Sequence, residues 1–173
     1  MFELLDQHYD VFSWGHEDLK NFRNGEFVHH IPLKPEATTF RQKIINYNPK
    51  VSKAIFKEVE KMLRACIIYL INHSTWVVNI VHVRKKNGEI RIFVDFRNLN
   101  QASIKDNYAL PTMDHILQMV FGSEVMSMLD GYSGYNQISG APKDQHKITF
   151  ITPWGTFVYN QMPFGLINMG ATF

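Results

Sequence analysis

Residues 76–97 read Trp-Val-Val-Asn-Ile-Val-His-Val-Arg-Lys-Lys-Asn-Gly-Glu-Ile-Arg-Ile-Phe-Val-Asp-Phe-Arg, and they carry the clearest local signal of secondary structure in the chain. Its first part, from Trp76 to Val83, is rich in the β-branched and aromatic residues that favour strands. Asn87-Gly88 is a strong signal for a hairpin turn. Beyond the turn, from Ile90 to Arg97, apolar residues recur at every second position, as in a strand with two different faces. The stretch therefore predicts a β-hairpin.

Alternation along the second strand sorts its side chains onto two faces, because neighbouring residues of a strand point in opposite directions. We expect one face to be apolar and turned toward a core, and the other to be charged and turned toward solvent. The apolar face comprises Ile90, Ile92, Val94 and Phe96, and the charged face comprises Arg91, Phe93, Asp95 and Arg97.

Upstream of the hairpin, the sequence predicts a lead-in segment, an extended stretch and a long helix. Residues 1–30 contain a short apolar pattern followed by a polar stretch, which indicates a helix and then a loop. Residues 31–35 should be extended, since each proline disfavours helical backbone in the residue before it. Asn48 suits the N-cap of a helix, and Pro49 suits its first position. Apolar residues then recur at helical spacing and should face the core: Val51, Ile55, Val59, Met62 and Leu63.

A further helix, a strand and a second hairpin are predicted downstream. Thr112 should cap a helix that runs through Val120 and ends at Gly122. Residues 125–130 are typical of a buried strand. Two further strands are predicted at residues 147–151 and 156–161. The turn between them, residues 152–155, has proline and glycine where a type I turn favours them. Helices and strands without a regular alternation predict an α+β fold.

Asp130 is a candidate metal ligand, because it ends an apolar strand and hard cations such as Mg²⁺ prefer carboxylate oxygens. The turn Gly131-Tyr132-Ser133-Gly134 offers backbone N–H groups with little steric cover, an arrangement that suits phosphate groups. Both features indicate nucleotide chemistry. An aspartate before a glycine is also an ordinary turn residue, so the spacing by itself leaves both interpretations open.

Composition excludes several classes of protein. The 173 residues are 45% hydrophobic, which lies outside the range of disordered chains. Cys66 is the only cysteine, so an internal disulfide framework and a zinc site with several thiolates are excluded. An apolar run such as residues 66–71 is far shorter than the roughly 20 residues of a membrane helix. The N-terminus lacks the features of a secretory signal, so we expect an intracellular protein, cytoplasmic or nuclear, with no membrane partner.

Charge is unevenly divided along the chain. Residues 1–30 carry two basic and six acidic side chains, a net charge of −4, and residues 31–173 carry sixteen and ten, a net charge of +6. A basic body suits a polyanionic partner, because neutralised phosphates supply most of the non-specific affinity for nucleic acids. A solvated basic face would have the same composition.

Beyond these local patterns, a series of ordered motifs resembles gypsy-type LTR retrotransposon reverse transcriptases, beginning with the fingers of those enzymes. Among them are Leu-Asp-Gly-Tyr-Ser-Gly-Tyr-Asn-Gln-Ile and Met-Pro-Phe-Gly-Leu. In chain order the motifs occupy residues 76–81, 84–91, 94–100, 105–111, 129–138 and 162–166. Residues 30–35 and 41–43 also resemble the segment that precedes the polymerase in plant elements, so the resemblance covers nearly the whole chain.

The resemblance implies a role for the matching charged residues. Asp130 would be the first metal-binding aspartate and would hold Mg²⁺ with two later aspartates, in a two-metal site for template-directed nucleotidyl transfer. Arg91, together with Lys85 or Lys86 near the hairpin tip, would neutralise the incoming triphosphate. For Asp95 and Arg97 the resemblance implies template-side or structural support, and a cross-strand salt bridge is equally consistent with their positions.

Four uncharged residues also match. Ser133 and Gly134 would meet the phosphates through their backbone amides. Tyr135 would lie under the sugar and exclude a 2′-hydroxyl by its bulk, which would select deoxyribonucleotides. Phe164 would pack near the sugar and the 3′ group.

The chain also departs from the family pattern. The family has its two remaining catalytic aspartates in a Tyr-x-Asp-Asp hairpin, a motif that does not occur in residues 1–173. One aspartate cannot reproduce a site of several carboxylates, so we expect no DNA synthesis by this chain alone. Other positions suggest a decayed copy: Cys66 replaces a common helix-ending glycine, Ile104 and Ala109 replace common prolines, and Ile44-Ile45 lie near a usually basic pair. Cysteine at a left-handed helix end would be strained.

The sequence thus predicts a lead-in segment and a truncated reverse transcriptase domain, with an α+β fold of right-hand polymerase fingers and an incomplete palm, a partial ferredoxin-like sheet with helices. Expected partners are an RNA or DNA template-primer, deoxynucleoside triphosphates and the rest of a Pol polyprotein, including RNase H and integrase. A non-catalytic nucleic-acid-binding remnant is the alternative, and a genomic relic that never accumulates as folded protein is a third possibility. The predicted boundaries are 1–30 for the lead-in, 31–173 for the domain, about 31–104 and 138–167 for the fingers, and about 105–137 and 168–173 for the palm part.

Overall fold

Most of the described strands join one mixed sheet. A computed structural model describes residues 6–11, 27–86, 88, 90–126 and 134–173. In chain order the elements are β1 (Val28–His29), α1 (Pro49–Arg64), β2 (Ile68–Ile71), β3 (Val78–Arg84), β4 (Ile90–Val94), α2 (Arg97–Ala102), α3 (Met113–Val120), β5 (Ser139–Gly140), β6 (Thr149–Thr152), β7 (Gly155–Tyr159) and α4 (Met169–Thr172). The sheet has the order β2-β7-β6-β3-β4, in which only β3 and β6 are parallel, and β1 pairs separately with β5. The chain therefore has the predicted α+β fold.

The predicted first hairpin is confirmed as β3 and β4. Arg84 pairs with Ile90, and the Gly88 N–H donates to the Lys85 carbonyl at 2.9 Å. Gly88 has a φ of +85°, a conformation that glycine adopts without strain. The second strand is shorter than predicted. It ends at Val94 because Arg97 already begins α2, so the strand alternation stops before Arg97.

The helix predicted from Asn48 is confirmed as α1. The Asn48 side chain accepts a hydrogen bond from the Lys50 N–H at 3.1 Å, which satisfies one of the free donors at the helix start. Val51, Ile55 and Val59 are buried, and the other two residues of the predicted stripe pack against the same core. Much of the core lies between α1 and one face of the sheet, where Phe150 and Ile68 are fully buried. Val158 is also buried, but it points to the other face, because it alternates along β7 with the partners of Phe150 and Ile68.

Cys66 occupies the left-handed position after α1 that the sequence predicted. Its φ is +55°, and among the described residues it is the only non-glycine with a positive φ. The Cys66 N–H donates to the Leu63 carbonyl and the Ile67 N–H donates to the Met62 carbonyl, both at 3.0 Å. This pair of bonds is the Schellman motif, which strongly favours glycine at the position of Cys66.

Replacement of Cys66 by glycine should stabilise the fold. A left-handed conformation costs a residue with a Cβ roughly 1–2 kcal/mol, and glycine adopts it freely. Because glycine also makes the unfolded chain more flexible, we expect a net gain of about 1 kcal/mol, or a rise in Tm of roughly 3 °C, in thermal unfolding. Cys66→Ala keeps the Cβ and should leave Tm close to that of the parent. Equal shifts in Tm for the glycine and alanine variants would show that the gain does not come from the backbone conformation at position 66.

The second predicted hairpin is confirmed with shifted ends. Thr152 pairs with Gly155 across the turn, and the Thr152 hydroxyl accepts the Trp154 N–H at 3.2 Å. β6 begins later than predicted because residues 145–147 form a 3-10 turn. β7 begins one residue early, at Gly155, and ends at Tyr159, while Gln161 forms an isolated bridge.

Between the hairpins, one prediction is confirmed and one is wrong in part. α3 begins after Thr112, whose hydroxyl accepts the His115 N–H at 3.3 Å, and Gly122 follows it with a φ of +86°. Val125 and Met126 were predicted to begin a buried strand but are 84% and 57% exposed and not in a strand. No described neighbour supplies hydrogen bonds to them, and a strand without a partner is unstable. Residues 127–130 lie outside the described residues.

Among the elements without a counterpart in the predictions are β1, β2, β5 and α2. β2 pairs with β7 at one edge of the sheet, and α2 is a six-residue helix that buries Leu99 completely. Residues 31–34 are extended as predicted, with Leu33 bridged to Ser103. The lead-in helix and loop lie largely outside the described residues, and the domain boundaries stay predictions. In the part of the chain that the structure describes, no helix has the length and apolar character required to cross a membrane.

Candidate nucleotide site

The β3–β4 hairpin carries the three basic residues that were predicted to contact a triphosphate. Arg91 pairs with Val83, and its side chain is exposed. Its neighbours along β4 face the core, so Arg91 lies on the sheet face opposite α1. Lys85 and Lys86 lie in the connection between the strands, where Lys86 is exposed and Lys85 half-buried. The hairpin therefore concentrates positive charge at one end of the sheet.

Tyr135 packs between two aromatic rings. It lies in a 3-10 turn, Gly134–Gln137. Its ring centroid is 4.8 Å from that of Phe164 in an edge-to-face arrangement, and 4.6 Å from that of Phe173. Such pairs add about 1 kcal/mol each beyond the area that they bury. The tyrosine ring is therefore held in one place by its neighbours.

Gly134 leaves room for the Phe173 ring to pack against Tyr135. It is buried, and a Cβ at this position would lie 3.1 Å from Cζ of Phe173, closer than most side-chain contacts. A larger residue here would push the Phe173 ring away from Tyr135. The structure thus assigns Gly134 a steric reason for being small, in addition to the phosphate contact that the sequence predicted.

Asn100 of α2 fastens the loop that presents Phe164. Its amide nitrogen donates to the Gly165 carbonyl at 2.7 Å, and its amide oxygen accepts the Ile167 N–H at 3.0 Å. Gly165 has a φ of +98°, so the tight bend of the loop depends on glycine. Phe164 is 45% exposed and therefore presents part of its ring to solvent.

The loop also brings the aromatic group to the end of β4. A Cβ on Gly165 would lie 3.9 Å from the Val94 carbonyl, so the residue after Phe164 touches the last residue of that strand. Arg91 lies three residues earlier on the same strand, or about 10 Å away at the usual rise per residue. Arg91 and the loop that carries Phe164 therefore lie near the two ends of β4.

Asn168 fastens the next connection in the same manner. Its amide oxygen accepts the Asp106 N–H at 2.9 Å, and its amide nitrogen donates to the Ile104 carbonyl at 2.8 Å. This contact holds the segment in which Ile104 replaces a proline of the family pattern. Paired hydrogen bonds from one asparagine therefore compensate for some of the rigidity that proline would supply.

Asp95 and Arg97 form an ion pair within one segment, so the cross-strand salt bridge was wrong. Arg97 donates from Nε and Nη2 to the two carboxylate oxygens at 2.8 and 2.7 Å. Two such parallel bonds orient both groups. The hydrogen bond from Arg97 lowers the pKa of Asp95 below its usual value. The pair connects the end of β4 to the start of α2, which is a structural role.

The remaining predicted site residues cannot be placed. Asp130 and Ser133 lie outside the described residues, so their geometry and any metal site at Asp130 stay predictions. Within the described ranges, no three or more histidine, cysteine, aspartate or glutamate side chains form a group that could hold a metal ion.

Sequence reasoning missed Asn100 and Phe173 as supports of the site. Asn100 lies in the last position of a motif that was used only to identify the family. Phe173 follows α4 and belongs to no sequence motif that marks it as a site residue. Both act through contacts with residues that are distant in sequence.

Comparison with known proteins identifies relatives among retrotransposons. No family model matches the chain. It is 35% identical over 102 residues to the retrovirus-related Pol polyprotein from transposon 297 of Drosophila melanogaster, covering 59% of this chain and 10% of that protein. It is 34% identical over 133 residues to the Pol polyprotein from transposon gypsy of the same organism, covering 71% and 12%. The transposon Tf2-3 polyprotein of Schizosaccharomyces pombe is 32% identical over 139 residues, covering 78% and 10%. The chain thus spans about a tenth of these curated relatives.

The fold is also found in solved structures. The crystal structure of a prototype foamy virus protease-reverse transcriptase mutant matches with a TM-score of 0.86 at 19% identity, over 99% of this chain and 23% of that one. A foamy viral protease-reverse transcriptase in complex with double-stranded DNA matches with a TM-score of 0.66 at 17% identity, over 99% of this chain and 29% of that one. In complex with an RNA/DNA hybrid it matches with a TM-score of 0.69 at 16% identity, over 96% and 22%.

Proposed function

Because the chain is homologous to part of the gypsy-type retrotransposon Pol polyproteins and has the fold of a reverse transcriptase, we propose that it supplies the fingers and first palm segment of an RNA-directed DNA polymerase. In the complete enzyme this part would bind the incoming deoxynucleoside triphosphate and contact the template-primer. The reaction is template-directed nucleotidyl transfer, and it would take place in the cytoplasm or nucleus.

The observation that carries this proposal is the contact between Tyr135 and Phe164. The two residues are distant in sequence, were both assigned to the nucleotide site, and have ring centroids 4.8 Å apart. They lie beside the end of β4, the strand that carries Arg91. A triphosphate that extended along the strand from the aromatic group would bring its negative charge toward the guanidinium.

Each described residue has a defined task in the proposed site. Arg91, with Lys85 and Lys86, would neutralise phosphate charge as it develops during transfer. Tyr135, held by Phe164 and Phe173, would bound the sugar and exclude a 2′-hydroxyl by its bulk. Because both neighbouring rings limit its movement, the tyrosine cannot easily rotate away to admit a ribonucleotide.

Asp130 would bind Mg²⁺ in the complete enzyme, because Mg²⁺ prefers carboxylate oxygens as ligands. Bound metal ions would stabilise the attacking 3′-hydroxyl and the leaving pyrophosphate. The described residues contain no cluster that could hold a metal by themselves. The sequence has no adjacent pair of aspartates, so further carboxylates must come from elsewhere in a complete enzyme.

A second candidate function is a nucleic-acid-binding remnant without catalysis. The observation in its favour is that the basic hairpin and its aromatic neighbours are present, whereas residues 1–173 supply one of the three family aspartates. Binding of a polyanion requires cationic side chains but no metal site. The two candidates therefore differ in metal-dependent turnover.

Primer extension on an RNA template distinguishes the candidates. We expect no extension by this chain with Mg²⁺ and deoxynucleotides, and extension once the chain is completed with the Tyr-x-Asp-Asp segment of a homologous polyprotein. Asp130→Asn in the completed chain should lower the rate by more than about 100-fold, since a group that stabilises the transition state is lost.

Two further variants complete this experiment, a control at Asp114 and a test of sugar selection at Tyr135. Asp114→Asn removes an exposed carboxylate from the first turn of α3 and should leave extension unchanged. Tyr135→Ala should retain deoxynucleotide transfer and raise ribonucleotide incorporation. Extension by the short chain alone would overturn the requirement for the missing aspartates, and no extension by any version would favour the remnant.

A further inference from the structure

An exposed aromatic pair lies on the side of the molecule away from the nucleotide site. Phe56 of α1 and Trp154 of the β6–β7 turn are 44% and 37% exposed, and their ring centroids are 5.0 Å apart at 59°. Leu70, which is 58% exposed, borders the same turn, because a Cβ on Gly155 would lie 2.7 Å from its Cδ1. We call Phe56, Leu70 and Trp154 the outer patch.

A row of lysines runs beside the outer patch. Lys50, Lys53 and Lys57 are exposed and lie three and four residues apart, so they form one line along α1. Lys53 also precedes Phe56 by three residues, which makes the two side chains neighbours on the helix surface.

The lysine row differs from the basic residues that follow it on α1. Lys61 and Arg64 each form an ion pair at 2.7 Å, with Glu58 and Glu60. Among the described residues, no acidic side chain lies within ion-pair distance of the lysine row. Its positive charge is therefore available to an anionic partner.

The outer patch is separate from the proposed nucleotide site. The buried residues of α1 pack on the sheet face to which Ile90 and Ile92 point, and Arg91 lies on the opposite face. The exposed side of α1 therefore faces away from Arg91. A ligand on the outer patch would not compete directly with one at the hairpin.

We propose that the outer patch and the lysine row bind single-stranded nucleic acid. Exposed rings offer stacking surfaces for unpaired bases, and a line of cationic side chains can follow the phosphate backbone. Charge complementarity supports this occupant, since residues 31–173 carry a net charge of +6. A duplex would present phosphates without free base faces and would leave the aromatic pair unused. The site extends the nucleic-acid binding proposed above but does not depend on polymerase activity.

Fluorescence anisotropy with a labelled oligothymidylate and an abasic strand of equal length tests the proposal on the full chain. Phe56→Ala with Trp154→Ala should weaken oligothymidylate binding at least tenfold, since stacking contributes roughly 1–3 kcal/mol per base. Binding of the abasic strand should change little. Lys53→Gln with Lys57→Gln should weaken the binding of both oligonucleotides. It should also reduce the magnitude of the slope of log K against the logarithm of the salt concentration by about 1.4.

Matched controls separate the patch from general effects. Tyr108→Ala and Lys143→Gln remove an exposed aromatic and an exposed lysine elsewhere, and they should bind as the parent does. Trp154→Tyr retains a ring on which a base can stack, so it should recover most of the affinity that Trp154→Ala loses. Such a recovery would show that the loss comes from the missing ring and not from misfolding. Unchanged oligothymidylate binding in the aromatic variant, or an equal loss for the abasic strand, would overturn the proposal.

Three further outcomes identify which proposal has failed. If Arg91→Ala abolishes all binding while the patch variants leave it unchanged, the outer patch is not a site but the proposed function stands. If the patch variants weaken binding and the completed chain still lacks primer extension, the patch stands and the polymerase proposal fails. Polyglutamate serves as a probe for an acidic protein partner. If it displaces oligothymidylate from the parent, and if its own affinity falls equally in the aromatic and the lysine variants, the partner is an acidic protein and the nucleic-acid assignment is overturned.

Discussion

Lowering the pH from 7 to about 4 should remove about 3 kcal/mol of the free energy of unfolding, and His29 should account for the loss. His29 lies in β1 and is 2% exposed. Its burial lowers its pKa to about 4, an effect that Asp144 opposes and His30 reinforces. The ring is therefore neutral in the folded chain at physiological pH.

The hydrogen bond of His29 joins two segments that are distant in the chain. Nδ1 lies 2.8 Å from the Thr172 hydroxyl oxygen, and the same hydroxyl lies 3.2 Å from the Asn168 carbonyl oxygen. The bond connects β1 to α4, so protonation places a buried charge beside the segment that contacts Tyr135.

The direction of the effect follows from proton binding. Between about pH 6.5 and pH 4 the unfolded chain binds a proton at this ring and the folded chain does not, so stability falls as the pH decreases. Below pH 4 both states are protonated and His29 adds no further change. The difference between 6.5 and about 4 corresponds to about 3 kcal/mol.

Urea unfolding at pH 7 and pH 4.5 measures this effect. His29→Gln removes the titrating group and should flatten the pH dependence in this window, whereas His73→Gln, at an exposed histidine, should leave the parent slope unchanged. A free energy of unfolding that does not change between these pH values in the parent would refute the assignment to His29.

Asp144→Ala should destabilise the fold by about 4 kcal/mol, because it leaves a mostly buried ammonium without its partner. The Asp144 and Lys147 side chains are 6% and 14% exposed, and Lys147 Nζ lies 2.6 Å from Oδ1. The other carboxylate oxygen accepts the Ile31 N–H at 3.0 Å, and Lys147 also donates to the Ile31 carbonyl at 2.8 Å. The pair thus attaches the extended segment before α1 to the loop before β6.

The pKa of Asp144 agrees with this arrangement. Burial acts to raise the pKa, but the hydrogen bonds from Lys147 and from the Ile31 N–H outweigh burial and hold it below the usual range. A carboxylate with a lowered pKa stabilises the fold above its ordinary pKa near 3.8 and loses that contribution as the pH falls further. Its acid-dependent loss therefore lies below the window assigned to His29.

Denaturant unfolding of matched variants tests the Asp144 prediction. Glu60→Ala breaks an ion pair whose side chains are 75% and 44% exposed, and it should cost less than about 0.5 kcal/mol. Asp144→Leu combined with Lys147→Met leaves no buried charge unpaired and should recover part of the loss. A cost for Asp144→Ala as small as that for Glu60→Ala would show that the buried pair contributes little.

Within the candidate site, sequence and structure contributed different information. The resemblance assigned Tyr135 and Phe164 to one site, but it could not show that Phe173 closes the group or that Asn100 fastens the loop. Local pattern also misplaced Arg97 on a strand, because the alternation continues past the last hydrogen-bonded residue, Val94. Packing of Leu99 into the core makes this region a helix instead.

Elements that begin or end at a local signal were predicted from the amino-acid sequence. Asn48 and Pro49 marked the start of α1, Thr112 the start of α3, and Gly88 the turn of the first hairpin, since a cap or a turn acts over only three or four residues. Tertiary structure alone decided which groups meet: the edge position of β2, the short helix α2, the His29–Thr172 bond and the buried Asp144–Lys147 pair. These depend on neighbours far away in the chain, and the free energy that favours them arises only when distant segments exclude water together.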